Sequence, residues 1–94
     1  MLQYLKTGRE NAIPRSELAK MAGVSDRMMR QSIEDLRNAG YPICNLQDGK
    51  GYFLADDPQD LKAQMAINKS RAMSILVQQK HLKRKLKDID KEES

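Results

Sequence analysis

Residues 13–43 read IPRSELAKMAGVSDRMMRQSIEDLRNAGYPI, and the fold turns on how this stretch divides. Pro14 closes a connection, and "SELAKMA" (16–22) follows as a short helix with Ser16 as its candidate N-cap. Leu18, Ala19 and Ala22 share one side of it, and Gly23 stops it, because a glycine takes the left-handed conformation that ends helices. Ser25 caps a second, longer helix, with Asp26 placed favourably at its positive end. Met29, Ile33 and Leu36 recur at i, i+4 and i+7, which is one buried stripe, and Gly40 ends the helix after Ala39.

Upstream, Leu2 and Leu5 with Tyr4 beside them suggest a short helix over residues 1–7, and "GRENAIPR" (8–15) connects it to the next. Downstream, "YPICNL" (41–46) and "GYFLA" (51–55) are β-prone runs around "QDGKG" (47–51), where the Asp48-Gly49 pair signals a hairpin. Strand alternation sends Tyr52 and Leu54 to the core face and Phe53 to the other, over the base of the last helix, with Cys44 half-buried in the hairpin. Asp57 is then a plausible N-cap, Pro58 suits the first helical position, and Asp60 sits at the third. No Gly or Pro follows, so this helix runs from about residue 58 to about residue 90. At ~1.5 Å per residue it is roughly 50 Å long. The expected fold is mainly α with a small β-hairpin: a helix-turn-helix and hairpin over residues 1–56, then a long C-terminal helix over 57–94.

The bulk properties bound the partners. Ninety-four residues make one small domain with a modest core, for which association would add burial. Charged residues are 32% and aromatics 4%, and the net charge of +4 with pI near 9.3 fits a polyanion partner. Residues 1–56 carry eight Lys/Arg against seven Asp/Glu, and residues 57–94 nine against six, so most of the excess is C-terminal. One cysteine, Cys44, forms no intramolecular disulfide, which reads as a reducing cytosol. "MLQYLKTGRE" has no long apolar core of a signal peptide, and no stretch approaches the roughly 20 apolar residues that span a bilayer.

A helix-turn-helix has steric demands that this sequence meets. Ala19 is the small residue where the second helix crosses the first, Gly23 follows four later at the turn, Val24 plugs the corner, and Met29, ten after Ala19, opens the inner stripe. With "AGYPI" before the hairpin and "GKGYFLA" in it, the chain from about Ile13 to Asp56 resembles the winged helix-turn-helix of the bacterial biotin-repressor type, also called the type 11 helix-turn-helix. The resemblance implies DNA binding and, usually, transcriptional control. The first helix is abbreviated and no effector or ligase domain follows the wing, so small-molecule control is not carried over and no cofactor is expected.

Stepping 100° per residue from the buried Met29 sends Arg27, Gln31, Glu34 and Asn38 outward, with Arg30 and Arg37 on one flank and Met28 on the other. Arg pairs bidentately with guanine and Gln with adenine, and the N-terminal half of such a helix enters the major groove. The candidate DNA-binding residues are therefore Ser25, Arg27, Met28, Arg30, Gln31 and Arg37, with Lys50 at the wing tip for a phosphate. Glu34 and Asp35 repel phosphate, so only the first two turns insert. Each of these charges is also what an ordinary solvated helix face carries; the turn spacing and the wing favour DNA.

In the last helix Leu61, Met65, Asn68, Ala72, Ile75, Gln79, Leu82, Leu86 and Ile89 are spaced alternately by 4 and 3, an unbroken heptad seam. The first eight are the candidate dimerisation residues, with Asn68 and Gln79 as polar register-setters. The flanks carry Lys62, Lys69, Arg71, Lys83 and Lys85, with Asp90 opposing. A second stripe of Ala63, Ile67, Ser70, Ser74 and Val77 makes the helix apolar nearly all round near "AMSILV" and calls for burial on more than one side. "KHLKRKLK" (80–87) packs five bases and His81 into eight residues: it suits phosphate, an acidic partner or anionic lipid, or serves as a solubilising helix end.

The expected function is a sequence-specific double-stranded-DNA-binding protein, a small transcriptional regulator that reads the major groove with the helix from Ser25 to Ala39. It would be a homodimer through the C-terminal helix, in the cytoplasm with the nucleoid, and of the sort a phage or plasmid carries. The alternative is a winged-helix assembly adaptor, in replication or segregation, acting through that helix. An enzyme finds no support, since one His, one Cys and no phosphate-binding glycine loop leave nothing to carry chemistry, and no metal site is expected.

Overall fold

The computed structural model describes residues 1–93. Its regular elements are α1 (Arg15–Ala22), α2 (Asp26–Asn38), β1 (Ile43–Cys44), β2 (Phe53–Leu54) and α3 (Pro58–Glu93), with single 3-10 turns at Leu2–Tyr4 and Arg9–Asn11. Met1–Gln64 form one compact unit and residues 65–94 a second.

The core of the first unit is built by the stripes foreseen in the helices. Leu18, Ala19, Met29 and Ile33 are buried together with Leu5, Ile13, Ile43 and Tyr52, and Val24, Leu36 and Leu54 pack against them. The turn between α1 and α2 is fixed by backbone chemistry: Gly23 is left-handed, its N–H donates to the Lys20 carbonyl at 3.2 Å, and the Val24 N–H donates to the Ala19 carbonyl at 3.1 Å. That double bond satisfies the end of α1 and turns the chain at once into α2. The Ser25 hydroxyl accepts from the Met28 N–H at 3.2 Å, as a side-chain cap should. The exit of α2 repeats the closing pattern, with Gly40 N–H to Arg37 and Tyr41 N–H to Leu36.

Three local expectations are corrected. Residues 1–7 do not form a helix; one 3-10 turn is followed by chain that pairs with β2. Lys6 and Gly8 bond to Leu54, and Ile13 and Tyr52 exchange two 2.9 Å bonds, so the "connection" supplies β2 with a second neighbour. Ser16 does not cap α1: the helix begins at Arg15, Pro14 holds the cap position, and Ser16 lies inside the first turn. The hairpin expected around Asp48-Gly49 forms, closed by more than a tight turn. Ile43 pairs with Leu54 and Cys44 with Phe53, leaving residues 45–52 as a wide loop shaped by positive φ at Gln47, Gly49 and Gly51. Cys44 is 1% exposed rather than half-buried; it clusters with Ala55 and Phe53, which lies, as expected, on the face away from Tyr52.

Asp57 caps α3 through its carboxylate, which accepts from the Gln59 N–H at 2.9 Å. The first two turns of α3 belong to the compact unit: the Cys44 thiol lies 3.9 Å from the Asp60 carbonyl, and the Gln64 side chain accepts from the Asn45 N–H at 2.7 Å. Burial pushes the Cys44 thiol pKa up, which keeps it protonated.

In the second unit α3 is a helix whose residues 65–92 are all exposed except Ile67. The seam is therefore uncovered in the single chain: Met65 is 68% exposed, Ile75 59% and Leu82 64%. The second stripe fares alike, with Ala63, Ser70, Ser74 and Val77 exposed. No described helix is long and apolar enough to cross a membrane.

Candidate nucleic-acid interface

The outer face of α2 carries the side chains that its periodicity placed there. Arg27, Met28, Arg30, Gln31, Glu34 and Asn38 are exposed, while Met29 and Ile33 on the opposite face are 0% and 1% exposed. The first two turns of α2 thus present two guanidinium groups, a thioether and an amide, on a helix whose start is capped and whose back is packed. The Arg27 side chain has neither an ion pair nor a hydrogen bond among the described residues. The Gln31 amide donates to Asp35 at 3.0 Å, so a base edge would have to compete with that contact.

Asp26 does more than complement the helix dipole. One carboxylate oxygen pairs with Arg15 of α1 at 3.0 Å and the other with Arg30 of α2 at 3.1 Å. The pairing spans the turn and stands two bases at the entry of α2. All three groups are well exposed, so its value is placement more than stability. Arg15 was absent from the sequence-derived set because a contact between α1 and α2 leaves no mark in either helix's period.

Arg37 makes a contact within the fold that its flank position does not announce. It is half-buried, its Nε donates to the Ile43 carbonyl at 2.9 Å, and its guanidinium stands 5.8 Å from the Tyr52 ring centroid. It joins the end of α2 to the hairpin.

The wing holds Lys50 exposed at its tip, without an ion-pair partner among the described residues. Its loop is shaped by Asp48, which accepts the Lys50 backbone N–H at 3.0 Å and pairs with Arg9 at 2.9 Å. Those two contacts, the Lys50 N–H first and the Arg9 guanidinium second, hold the Asp48 carboxyl below the usual carboxylate range. The wing and the start of α1 border an open groove lined by Arg15, Ser16, Gln47 and Gly49 among others. Among the described residues no group of His, Cys, Asp or Glu is arranged to hold a metal ion.

Helix-turn-helix, wide wing and exposed polar face have a counterpart in known sequences. A family model described as an HTH domain, that of the type 11 helix-turn-helix, matches residues 1–53. No curated protein and no solved structure matches the chain. The matched stretch takes in α1, the turn, α2, β1 and the whole wing up to β2. On this agreement of sequence and geometry, the chain belongs to the type 11 helix-turn-helix family of DNA-binding domains.

Proposed function

We propose that this protein is a sequence-specific double-stranded-DNA-binding regulator of transcription, with α2 as its reading helix. The observation that carries the reading is the exposure of Arg27, Met28, Arg30 and Gln31 on the capped first two turns of α2, opposite a fully packed stripe. Arg27 and Arg30 have the donor geometry for guanine and Gln31 for adenine, and Ser25 stands at the helix start where a phosphate oxygen would sit. Lys50 takes a second phosphate from the wing. Arg37 contributes through the position of α2, not by touching DNA. Glu34 and Asp35 limit insertion to the N-terminal half.

Residues 1–56 act as the reading domain and 57–94 as an association helix. The exposed heptad seam favours a homodimer, with Leu61, Met65, Ala72, Ile75, Leu82 and Leu86 as its apolar layers and Asn68 and Gln79 as its polar ones. Two copies would then read two half-sites. Such a regulator works in the cytoplasm beside the DNA it controls. The same exposed seam favours a second reading, an assembly adaptor that engages another protein through α3.

Selection of duplexes from a random library, followed by anisotropy titration, tests the proposal. Enrichment of a defined site, lost in Arg27→Ala/Arg30→Ala, is the expected result. An adaptor would show no enrichment and would tolerate that double change together with Lys50→Ala.

A further inference from the structure

The distribution of charge between the two units poses a problem for DNA binding. Met1–Gln64, which hold the whole helix-turn-helix and wing, carry nine Lys/Arg against nine Asp/Glu. Residues 65–94 carry eight against four, so the entire excess of +4 lies there. Affinity for a duplex rests mainly on cations that displace counterions from phosphates. A neutral reading unit is poorly supplied for that, with one of its helix-entry arginines, Arg30, already paired to Asp26.

The cations on α3 are arranged, not scattered. Lys80, Lys83, Arg84, Lys87 and Lys91 fall at i, i+3, i+4, i+7 and i+11, a stripe about 100° wide and roughly 16 Å long. All five are exposed, and the first four line one shallow surface depression. Asp88 and Asp90 border the stripe, yet none of Lys80, Lys83, Arg84 and Lys87 forms an ion pair among the described residues. Lys80, Arg84, Lys87 and Lys91 stand clear of the heptad seam and Lys83 at its edge, so pairing through the seam leaves the stripe open.

We infer that this stripe is a second, sequence-independent DNA-binding surface: it takes phosphodiester backbone and supplies the electrostatic affinity that the neutral reading unit lacks. The inference rests on the DNA-binding reading of the chain but not on α2 as the reader. A bilayer surface fits the same charges less well. Residues 58–94 contain no Trp, Tyr or Phe, the side chains that seat an interfacial helix in lipid.

The test uses the full chain and a random-sequence duplex, titrated by anisotropy from low to moderate salt, beside the selected duplex. The variant is Lys80→Gln/Lys83→Gln/Arg84→Gln/Lys87→Gln, since glutamine keeps helix propensity. Each lost phosphate contact lowers the slope of log K against log salt by ~0.9, so the loss of all four should make the slope shallower by about 3.6 and random-duplex affinity should fall at least about tenfold. The ratio of selected to random affinity should not change. Lys80→Arg/Lys83→Arg/Lys87→Arg should keep the slope, which separates lost charge from a disturbed helix. An unchanged slope in the glutamine variant overturns the inference. So does wild-type binding to phosphatidylserine vesicles with none to random duplex. A wild-type chain that binds duplex through the stripe but prefers no sequence would instead overturn α2 as the reader and leave the stripe standing.

Discussion

Arg37 and Ile43 are joined across the exit of α2: the Arg37 Nε donates to the Ile43 carbonyl oxygen at 2.9 Å, with the Tyr52 ring 5.8 Å from the guanidinium. The bond fixes how α2 leaves for the hairpin. Arg37→Ala removes a charge-assisted donor from a part-buried carbonyl and should cost about 1–3 kcal/mol in urea unfolding. Because Arg37 faces the fold, the ratio of selected to random DNA affinity should survive under conditions where the variant is folded. A loss of that ratio with unchanged stability would put Arg37 at the DNA instead.

Gly51 is the tightest point of the wing. Its φ is +105°, and a Cβ there would collide with the backbone carbonyl of Ile13. The same carbonyl accepts the Tyr52 N–H that binds β2 to the N-terminal chain. Gly51→Ala combines backbone strain with a backbone clash and should destabilise by about 2–4 kcal/mol. Gly49→Ala, with φ +82° but open space around it, should cost less. Thermal melts of the two variants rank them, and equal melts would contradict this wing geometry.

Asp48 gives the wing a pH dependence of defined sign. Its carboxyl is held low in the folded chain by the Lys50 N–H and then by Arg9, so the unfolded chain takes up its proton first as pH falls. The stabilisation is complete above the ordinary aspartate range near pH ~4 and is lost as pH drops through the lower folded value. The melting temperature of the wild type should therefore fall more steeply below that range than that of Asp48→Asn. Parallel curves would mean that neither the Lys50 N–H nor the Arg9 contact to Asp48 is made in solution.

The seam of α3 should pair. Sedimentation at tens of micromolar should show a dimer, and Ile75→Asp, a charge in an apolar layer, should weaken it at least about a hundredfold, on the order of 3 kcal/mol. A monomeric wild type would remove the homodimer and favour a different protein on the seam.

Much of this architecture is legible in the sequence because helices write their burial as a period. Met29, Ile33 and Leu36 sit in the core, and Ser25 and Gly23 cap and turn as read. What the sequence hides is non-local. The first residues looked helical, yet Lys6 and Gly8 bond to Leu54 of β2, and Ile13 to Tyr52 just before it, some forty residues away. Asp48-Gly49 announced the hairpin but not its wide loop, where Arg9 reaches Asp48 across 39 residues. The azimuth of Arg37 gave no sign that the chain folds back at Gly40 and brings the Ile43 carbonyl to it. The outer face of α2 was legible for the same reason as its inner one; the Arg15–Asp26–Arg30 group was not, because it joins two helices.

The central claim is that the first two turns of α2 read base pairs. It is tested most directly by anisotropy titration of the wild type and Arg27→Ala/Arg30→Ala against a selected site and a random duplex across a salt series. The account predicts that the double variant loses the preference, at about 1–3 kcal/mol for each base contact removed, while both proteins keep a salt-dependent hold on random DNA. A preference that persists undiminished in the double variant would contradict it and leave the outer face of α2 as solvated surface.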